Sequence, residues 1–450
     1  MSAYALTPLN IENENLFFGF HDLVAWNSGG DKILALRIDD MRTPPDGIKP
    51  IDTGFIKAGE FIKLGSTLAY NYPQGARQQW IGDSNTYIIN DRGTDTWISK
   101  VYDTEALKLV KTLKHPTHVI TNDGWAFGID YARLHRVGGY GYTGLADKNA
   151  ANNAPADAGI IKHNIYTEEA TLLVSIKDIA NFETTENIGQ HHYITHLLLN
   201  PKQDRIAFLH RYKLKDGGET TRLMTIGTNG EGLRCLSAGF LSHFDWKDDN
   251  SVLIWGRTGS NIEKLRGSLI YRLLPSGFIF YAKKIIKSLR KKGNKTSTGN
   301  SGFNWLLISD DEQKKCETFA AGKMTEDGHP MVCPANRDWL VCDTYPNEEG
   351  IRQLYLYQYS TNNKIELGRY KMIDDKPDIS KAKNALSGID PEVLKAFSIE
   401  KMAFYRSGLH CDLHPRWKGD GTAVAFDSIH EGKRLIYSFD VSEYLNIKTS

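Results

Sequence analysis

The sequence has few cysteines, almost no net charge and no long hydrophobic run. Its five cysteines include no closely spaced pair, which argues against a disulfide framework and is typical of a reducing compartment. The 55 basic residues balance the 54 acidic ones, so the overall charge does not favour nucleic-acid binding. No apolar stretch reaches the roughly 18 residues that a simple membrane-spanning helix needs.

The first 20 residues have no basic segment followed by an apolar one, and we therefore expect no secretory signal. Together with the sparse cysteines, this predicts a cytoplasmic protein. The chain is longer than a usual single-core domain, so we expect either several domains or a repeat architecture.

What the sequence does contain is an internal repeat of short strand-like segments separated by turn residues. Each unit begins at a polar residue followed by runs rich in Val, Ile, Leu, Phe, Tyr and Trp. The seven starting residues are His21, Arg77, His118, His196, His243, His329 and His414. Seven four-stranded units that stack and close into a ring predict an all-β fold, a single seven-bladed β-propeller over residues 1–450. The alternative is a pair of β-sandwiches.

Six of the seven starting residues are histidines, and this position faces the central funnel of a propeller. One interpretation is structural, with each imidazole hydrogen-bonded inside its own blade. Another is a divalent metal such as zinc, manganese or calcium, held by His243, His329 and His414. His410 or Cys342 is the candidate fourth ligand. No HxH or CxxC spacing supports this site.

A third interpretation is acid–base chemistry on adjacent strands. The segments QHHYITH (190–196) and FLHRY (208–212) place Tyr193 near Arg211, and ARLHRVGGYGY (132–142) adds further His, Arg and Tyr residues. Such a set fits β-elimination from a uronic acid, in which a cation neutralises the carboxylate while one group removes a proton and another protonates the leaving oxygen.

The motif order resembles one group of propeller proteins. GFHD, RQQW, RLHR with GYGY, FLHR, SHFDW, DGHP with DTYP, and DLHPRW follow one another from about residue 20 to 445. They resemble the oligogalacturonate-lyase-like and ulvan-lyase-like polysaccharide lyases. The resemblance implies a seven-bladed propeller that cleaves a uronate-containing glycan, with Tyr193 and Arg211 in the family's Tyr and Arg positions.

The resemblance and the repeat together give the predicted site. The predicted catalytic residues are Tyr193, Arg211, His135, His192, His118 and His196. The predicted substrate-binding residues are Arg77, Gln78, His21, His210, Arg136 and Tyr140. In oligogalacturonate-lyase-like members a metal held by His and Gln binds the carboxylate. This sequence has no close-spaced Gln/His/His cluster, which favours the Tyr/His version.

Two segments do not follow the blade pattern. Residues 266–300 join an apolar aromatic stretch to a basic helix, and within them 266–295 predicts a peripheral membrane contact. The alternatives there are a helical flap or a patch for an acidic polysaccharide. Residues 374–408 predict a helical insertion that forms a lid over the funnel or a spacer.

The leading function is therefore a lyase acting on an acidic poly- or oligosaccharide, placed in the cytoplasm at the inner face of the membrane and linked to surface-polysaccharide metabolism. The alternative is a non-catalytic propeller that binds glycan or protein. A metal-dependent hydrolase is a third hypothesis. No nucleic-acid partner is expected.

Overall fold

A computed structural model describes residues 7–8, 14–183, 189–214, 218–258, 302–395 and 398–445. Its strands form seven antiparallel four-stranded units. Of the predicted starting residues, His196 and His243 lie within strands, His21 lies between the first two strands of its blade, and the other four lie one or two residues before the first strands of theirs. The first strand in the chain, β1 (Thr7–Pro8), belongs to the last of them. The predicted seven-bladed propeller is confirmed.

The blades follow one another in chain order. Blade 1 contains β2 (Asn15–Phe17), β3 (Lys32–Ile38), β4 (Ile51–Lys57) and β5 (Glu60–Thr67). Blade 2 contains β6 (Gln79–Trp80), β7 (Thr86–Arg92), β8 (Trp97–Asp103) and β9 (Lys108–Leu113). Blade 3 contains β10 (Val119–Ile120), β11 (Trp125–Gly128), β12 (Gly159–Asn164) and β13 (Ala170–Ser175).

Blades 4 and 5 share one long strand. Blade 4 contains β14 (Gln190–Leu199), β15 (Arg205–Lys213), β16 (Glu219–Gly227) and the first part of β17 (Arg234–Asp248), whose second part starts blade 5. Blade 5 continues with β18 (Ser251–Thr258), β19 (Asn304–Ser309) and β20 (Cys316–Phe319). The two blades consequently form a continuous seven-stranded sheet.

Blades 6 and 7 close the ring. Blade 6 contains β21 (Met331–Val332), β22 (Trp339–Asp343), β23 (Ile351–Gln358) and β24 (Asn363–Lys371). Blade 7 contains β25 (Arg416–Trp417), β26 (Ala423–Ser428) and β27 (Leu435–Asp440), and its fourth strand is β1 from the other end of the chain. Pairing Thr7 with Ser438 ties the two ends of the chain together, because β1 covers the outer edge of β27 and completes blade 7.

A repeated tryptophan joins neighbouring blades. The indole Nε1 of Trp80 donates to the Ala25 carbonyl of the preceding blade at 2.9 Å. Trp246 donates in the same way to Leu198 at 3.0 Å, and Trp417 to Met331 at 2.9 Å. Each of these tryptophans lies three residues after a repeat-starting residue. The packing of inner strands therefore fixes where the starting residues lie.

Six helices lie within the described residues. They are Tyr131–Arg136, Ile176–Asn181, Ile379–Ala385, Pro391–Leu394, Ile399–Arg406 and Ser442–Leu445. Three of them occupy the predicted insertion 374–408, which docks on the helix of blade 3 through Asp390 N–H and the Arg136 carbonyl at 2.8 Å. The long segment between the starting residues His21 and Arg77 holds β4 and β5 of blade 1.

None of the described helices is long and apolar enough to cross a membrane. The predicted basic insertion 266–300, including the membrane-contact segment 266–295, lies outside the described residues.

Candidate active site

Three of the repeat-starting residues have an unusual backbone conformation that sets the direction of their side chains. Arg77, His196 and His414 have φ of 56°, 58° and 44°, in the left-handed region that non-glycine residues rarely adopt. β14 has a register shift between Thr195 and Leu198, so His196 lies within a bulge. Bulges re-aim side chains, and strained conformations concentrate at functional sites.

Five of these imidazoles form a central histidine cluster, made of His21, His196, His243, His329 and His414. The His329 ring lies in the middle, with its centroid 4.2 Å from that of His243, 4.3 Å from His414 and 5.5 Å from His21. The Phe20 ring links this group to His196, at centroid distances of 4.9 Å to His414 and 5.1 Å to His196. The repeat therefore brings all three predicted metal ligands together.

Two of these histidines and a neighbouring aspartate could together hold a metal ion. We call His329, Asp412 and His414 the His–Asp–His cluster. Their ligand atoms lie within 4.8 Å of one another, and all three residues are buried. His329 Nδ1 donates to Asp343 at 2.8 Å, and His414 Nδ1 donates to the Gly19 carbonyl at 2.9 Å. In the neutral form of each imidazole the lone pair is therefore on Nε2, as in metal-binding histidines that are oriented by a second partner.

Electrostatics distinguishes the members of this cluster. Burial works against the charge on Asp412, but Arg352, whose Nη2 lies 2.7 Å from Oδ1, holds the pKa of Asp412 well below its usual range. Burial also opposes a charge on His329, yet the Asp343 carboxylate raises the pKa of His329. Burial and the neighbouring His329 lower the pKa of His414 well below its usual value.

Two predicted histidines and one cysteine lie beside the His–Asp–His cluster. His243 Nδ1 donates to Asp327 at 3.0 Å, which leaves Nε2 near the Tyr345 hydroxyl at 3.5 Å. His410 Nδ1 lies 3.9 Å from Asp412 Oδ2. The Cys342 thiol contacts the Asp343 carbonyl, and burial raises the pKa of Cys342, so it remains a thiol and a poor metal ligand.

Sequence reasoning missed Asp412, although a signal was present. His410, Asp412 and His414 alternate along one short segment, and alternate residues of an extended chain point to the same side. A search limited to His and Cys spacings passes over this pattern. The carboxylate also supplies the negative charge that a purely imidazole site lacks.

The predicted Tyr193 and Arg211 are cross-strand partners in blade 4. The buried Tyr193 hydroxyl donates to Glu219 at 2.7 Å, and Arg211 Nη1 lies 3.8 Å from the same carboxylate. Burial and Glu219 raise the pKa of Tyr193 well above its usual range. Tyr193 is consequently a neutral phenol whose proton is directed at Glu219.

Tyr140 and His196 connect this pair to the central cluster. Their rings lie 5.8 Å apart at the centroids. Burial raises the pKa of Tyr140 to about 12, and its hydroxyl is within electrostatic reach of both Asp412 and Arg211. Burial and Arg211 lower the pKa of His196, whose Nδ1 lies 2.8 Å from the Thr195 hydroxyl. His196 is therefore neutral, with Nε2 left for a substrate.

Four predicted catalytic or binding histidines lie away from this group. His192 Nδ1 lies 3.0 Å from His210 Nε2, and the two rings stack on the other face of blade 4 from Tyr193. His118 is fully buried and bonds the Tyr131 hydroxyl at 2.8 Å. His135 Nε2 lies 2.8 Å from the Ser387 carbonyl of the helical insertion.

Three predicted substrate-binding residues have protein partners. Arg77 is buried and makes two 2.9 Å bonds to Asp22. Gln78 accepts from Ala76 N–H and donates to the Phe18 carbonyl. Arg136 pairs with Asp147 at 2.7 Å and with Asp390 at 3.3 Å.

No protein-family model and no curated protein sequence matches the chain. Among solved structures, an oligogalacturonate lyase in complex with manganese has a TM-score of 0.59 at 13% identity, covering 98% of this chain and 94% of that one. An oligogalacturonate lyase from Vibrio parahaemolyticus has a TM-score of 0.56 at 13% identity, covering 98% and 95%. The chain therefore shares the fold of these polysaccharide lyases along nearly its whole length.

Proposed function

We propose that this protein is a polysaccharide lyase that cleaves a uronate-containing glycan by β-elimination with the help of a divalent metal. The observation that carries the proposal is the meeting of two groups at Tyr140. Tyr140 packs against His196 of the central histidine cluster, and its hydroxyl interacts electrostatically with Asp412 of the His–Asp–His cluster and with Arg211. The shared fold with oligogalacturonate lyases supports the same reaction class.

The donor set suits a divalent metal of intermediate softness. Two imidazole nitrogens and one carboxylate are ligands that manganese and zinc accept. Asp343 and the Gly19 carbonyl orient the two imidazoles, and His243 or His410 lies near enough to the cluster to be considered as a further ligand. A bound metal would polarise the substrate carboxylate and make the adjacent C5 proton more acidic. Manganese in one of the similar lyases supports this assignment.

The side chains of blades 3 and 4 supply the other steps. Arg211 is partly buried beside Tyr193 and Glu219, and despite the cost of burial these neighbours raise its pKa. It therefore keeps a fixed positive charge for the developing negative charge on the substrate. In the tautomer that donates Nδ1–H to the Thr195 hydroxyl, neutral His196 can accept the C5 proton at Nε2. Tyr140 holds its proton at neutral pH and can deliver it to the leaving oxygen.

The C5–H bond breaks and its proton goes to His196, while its electron pair forms the C4–C5 double bond. The C4–O bond breaks, and the departing oxygen takes a proton from Tyr140. Only a sugar with a carboxyl group next to C5 permits this sequence, so the substrate class is an acidic glycan rather than a neutral one.

The test uses the whole chain with galacturonate-, glucuronate- and iduronate-containing oligosaccharides. Supplied with manganese, the protein should generate the ultraviolet absorbance of an unsaturated uronate from at least one of them. A chelator should suppress that absorbance. Folded, manganese-loaded protein that leaves the whole panel unchanged would overturn the lyase proposal and favour a binding function.

Two matched tyrosine variants test the acid assignment. Tyr140→Phe should reduce kcat about 100-fold, since it removes the proton donor. Tyr193→Phe should reduce kcat less than about 10-fold, because the variant loses only the hydrogen bond from the Tyr193 hydroxyl to Glu219. A larger loss for Tyr193→Phe than for Tyr140→Phe would return the acid–base role to Tyr193.

A further inference from the structure

A cavity beside the candidate active site lies beneath the helical insertion. It has a volume of about 220 Å³ and lies between the last helix of the insertion and the loops of blades 1 to 3. Its lining includes the aromatic rings of Tyr70, Tyr140 and Tyr405, together with Arg406 and His410. The volume is below the roughly 300–1,000 Å³ of drug-sized pockets, which suits a single sugar ring.

The cavity contains a positive charge with no negative partner. Within the described ranges, no carboxylate lies at ion-pair distance from the Arg406 guanidinium. Removal from water lowers the pKa of Arg406 to about 10, with no acidic group acting against it. At neutral pH Arg406 is nevertheless charged. Arg406 is only partly buried, and an anionic ligand in the cavity would give its charge a partner.

The hydrogen-bond partner of Arg406 does not neutralise it. His135 Nε2 donates to the Ser387 carbonyl, so its Nδ1 carries a lone pair, and this atom lies 3.3 Å from Arg406 Nη1. Burial and Arg406 lower the pKa of His135 to about 3, so the imidazole is neutral. This contact uses one of the five guanidinium N–H groups, and within the described residues no second protein acceptor bonds the others.

The cavity connects to the candidate active site through two shared side chains. Tyr140 lines the cavity and also packs against His196. His410 lines the cavity and reaches Asp412 of the His–Asp–His cluster at 3.9 Å. A glycan that places one sugar at the cluster can therefore extend its next sugar toward Arg406.

We propose that this cavity is a subsite for a second uronate of the substrate, with Arg406 binding its carboxylate and the tyrosine rings packing against its sugar ring. This inference rests on the proposed function for the identity of the ligand. Guanidinium groups bind carboxylates in a planar, two-point geometry, and aromatic rings suit the apolar faces of sugars. The enzyme would then require at least two neighbouring acidic sugars.

The test measures binding of trigalacturonate and its methyl ester by calorimetry, in chelating buffer so that the proposed reaction does not proceed. The wild type should bind the free acid about ten- to hundredfold more tightly than the ester. Arg406→Gln should remove most of that preference and leave the part that Arg211 contributes, and Arg406→Lys should retain more of it. Arg369→Gln, at an exposed arginine of blade 6, is the matched control and should keep all of it.

Failures of the two proposals give different results. Unchanged carboxylate preference in folded Arg406→Gln, or no measurable binding of the free acid by the wild type, would overturn the subsite. In a third outcome, Arg406→Gln loses most of the preference while the wild type, with manganese restored, cleaves none of the oligosaccharides. That combination would uphold the subsite and overturn the lyase proposal. Melting temperatures of all variants check that each is folded.

Discussion

The histidines of this propeller fall into two groups that differ in what holds them. In blades 5 to 7, His243 and His329 donate Nδ1–H to a carboxylate, and His414 donates to a backbone carbonyl. The nitrogen that remains is Nε2 in every case. These rings also crowd together, with neighbouring centroids 4.2 and 4.3 Å apart.

The histidines of blades 3 and 4 have other partners. His192 and His210 bond each other, and His118 bonds a buried tyrosine. Burial lowers the pKa of all three, to about 4 for His192. These rings fill and rigidify blade interiors, and His196 alone among the predicted histidines of these two blades joins the central cluster.

The comparison shows that a histidine's partner is more informative than its place in the repeat. An imidazole whose Nδ1 is fixed by a carboxylate or carbonyl presents a lone pair in a defined direction. An imidazole bonded to another imidazole presents none to a shared centre. The two groups should therefore respond differently to mutation, metal and pH.

The largest expected difference is between His414→Ala and His192→Ala. Loss of His414 removes one of three proposed ligands, and we expect metal content near zero and a roughly thousandfold lower lyase rate. His192→Ala should keep the wild-type metal content, although it is less stable. Elemental analysis of purified protein and the absorbance assay measure both effects.

One result would contradict this assignment of the two histidine groups. If His414→Ala retains stoichiometric manganese and His192→Ala loses it, the assignment of the two groups is reversed. Circular dichroism and thermal melting should show that both variants are folded before either measurement is interpreted.

A smaller effect is expected from the carboxylate that orients His329. Asp343→Asn keeps the shape of the side chain but weakens the hold on His329 Nδ1, and we expect metal affinity to fall about ten- to hundredfold. The same change at Asp327 tests His243, because Asp327 is its carboxylate partner. Metal titration gives both affinities.

The result for Asp327→Asn decides whether His243 is a ligand. An affinity drop similar to that of Asp343→Asn would add His243 to the cluster, whereas an unchanged affinity would place it outside. Wild-type affinity in Asp343→Asn would contradict the orienting role of Asp343 itself.

The fold was predictable because the repeat is a pattern of residues that are close together in the sequence. Strand runs, turns and one starting residue for each blade recur seven times, and the tryptophan three residues after Arg77, His243 and His414 follows the same period. Those signals depend on neighbouring residues alone. The closure of blade 7 by residues 7–8 was not visible, because it joins residues over 400 positions apart.

The site was predictable in part. A shared repeat position brings His243, His329 and His414 together, as the ring symmetry implies. Local sequence does not reveal which face of a strand a residue occupies after a bulge, so it did not separate His192 from His196. It also gave no sign that the insertion would cover His135, because that contact joins residues 135 and 387.

The smallest expected effect concerns pH and the blade 4 histidine pair. The pKa of His192 is lowered by burial to about 4 in the folded protein, against about 6.5 in the unfolded chain. As pH falls below about 6.5, the unfolded chain binds a proton that the folded protein does not, so stability is lost until the pH reaches about 4. At pH 5 the loss of stability from this one group is about 2 kcal/mol.

Urea unfolding at pH 7 and pH 5, followed by tryptophan fluorescence, should therefore show a smaller acid-induced loss of stability in His192→Gln than in the wild type. His430→Gln, at a partly exposed histidine of blade 7, should resemble the wild type more closely. Equal losses in wild type and His192→Gln would mean that His192 is charged in the folded protein, and the contrast between the two histidine groups would then not extend to their protonation.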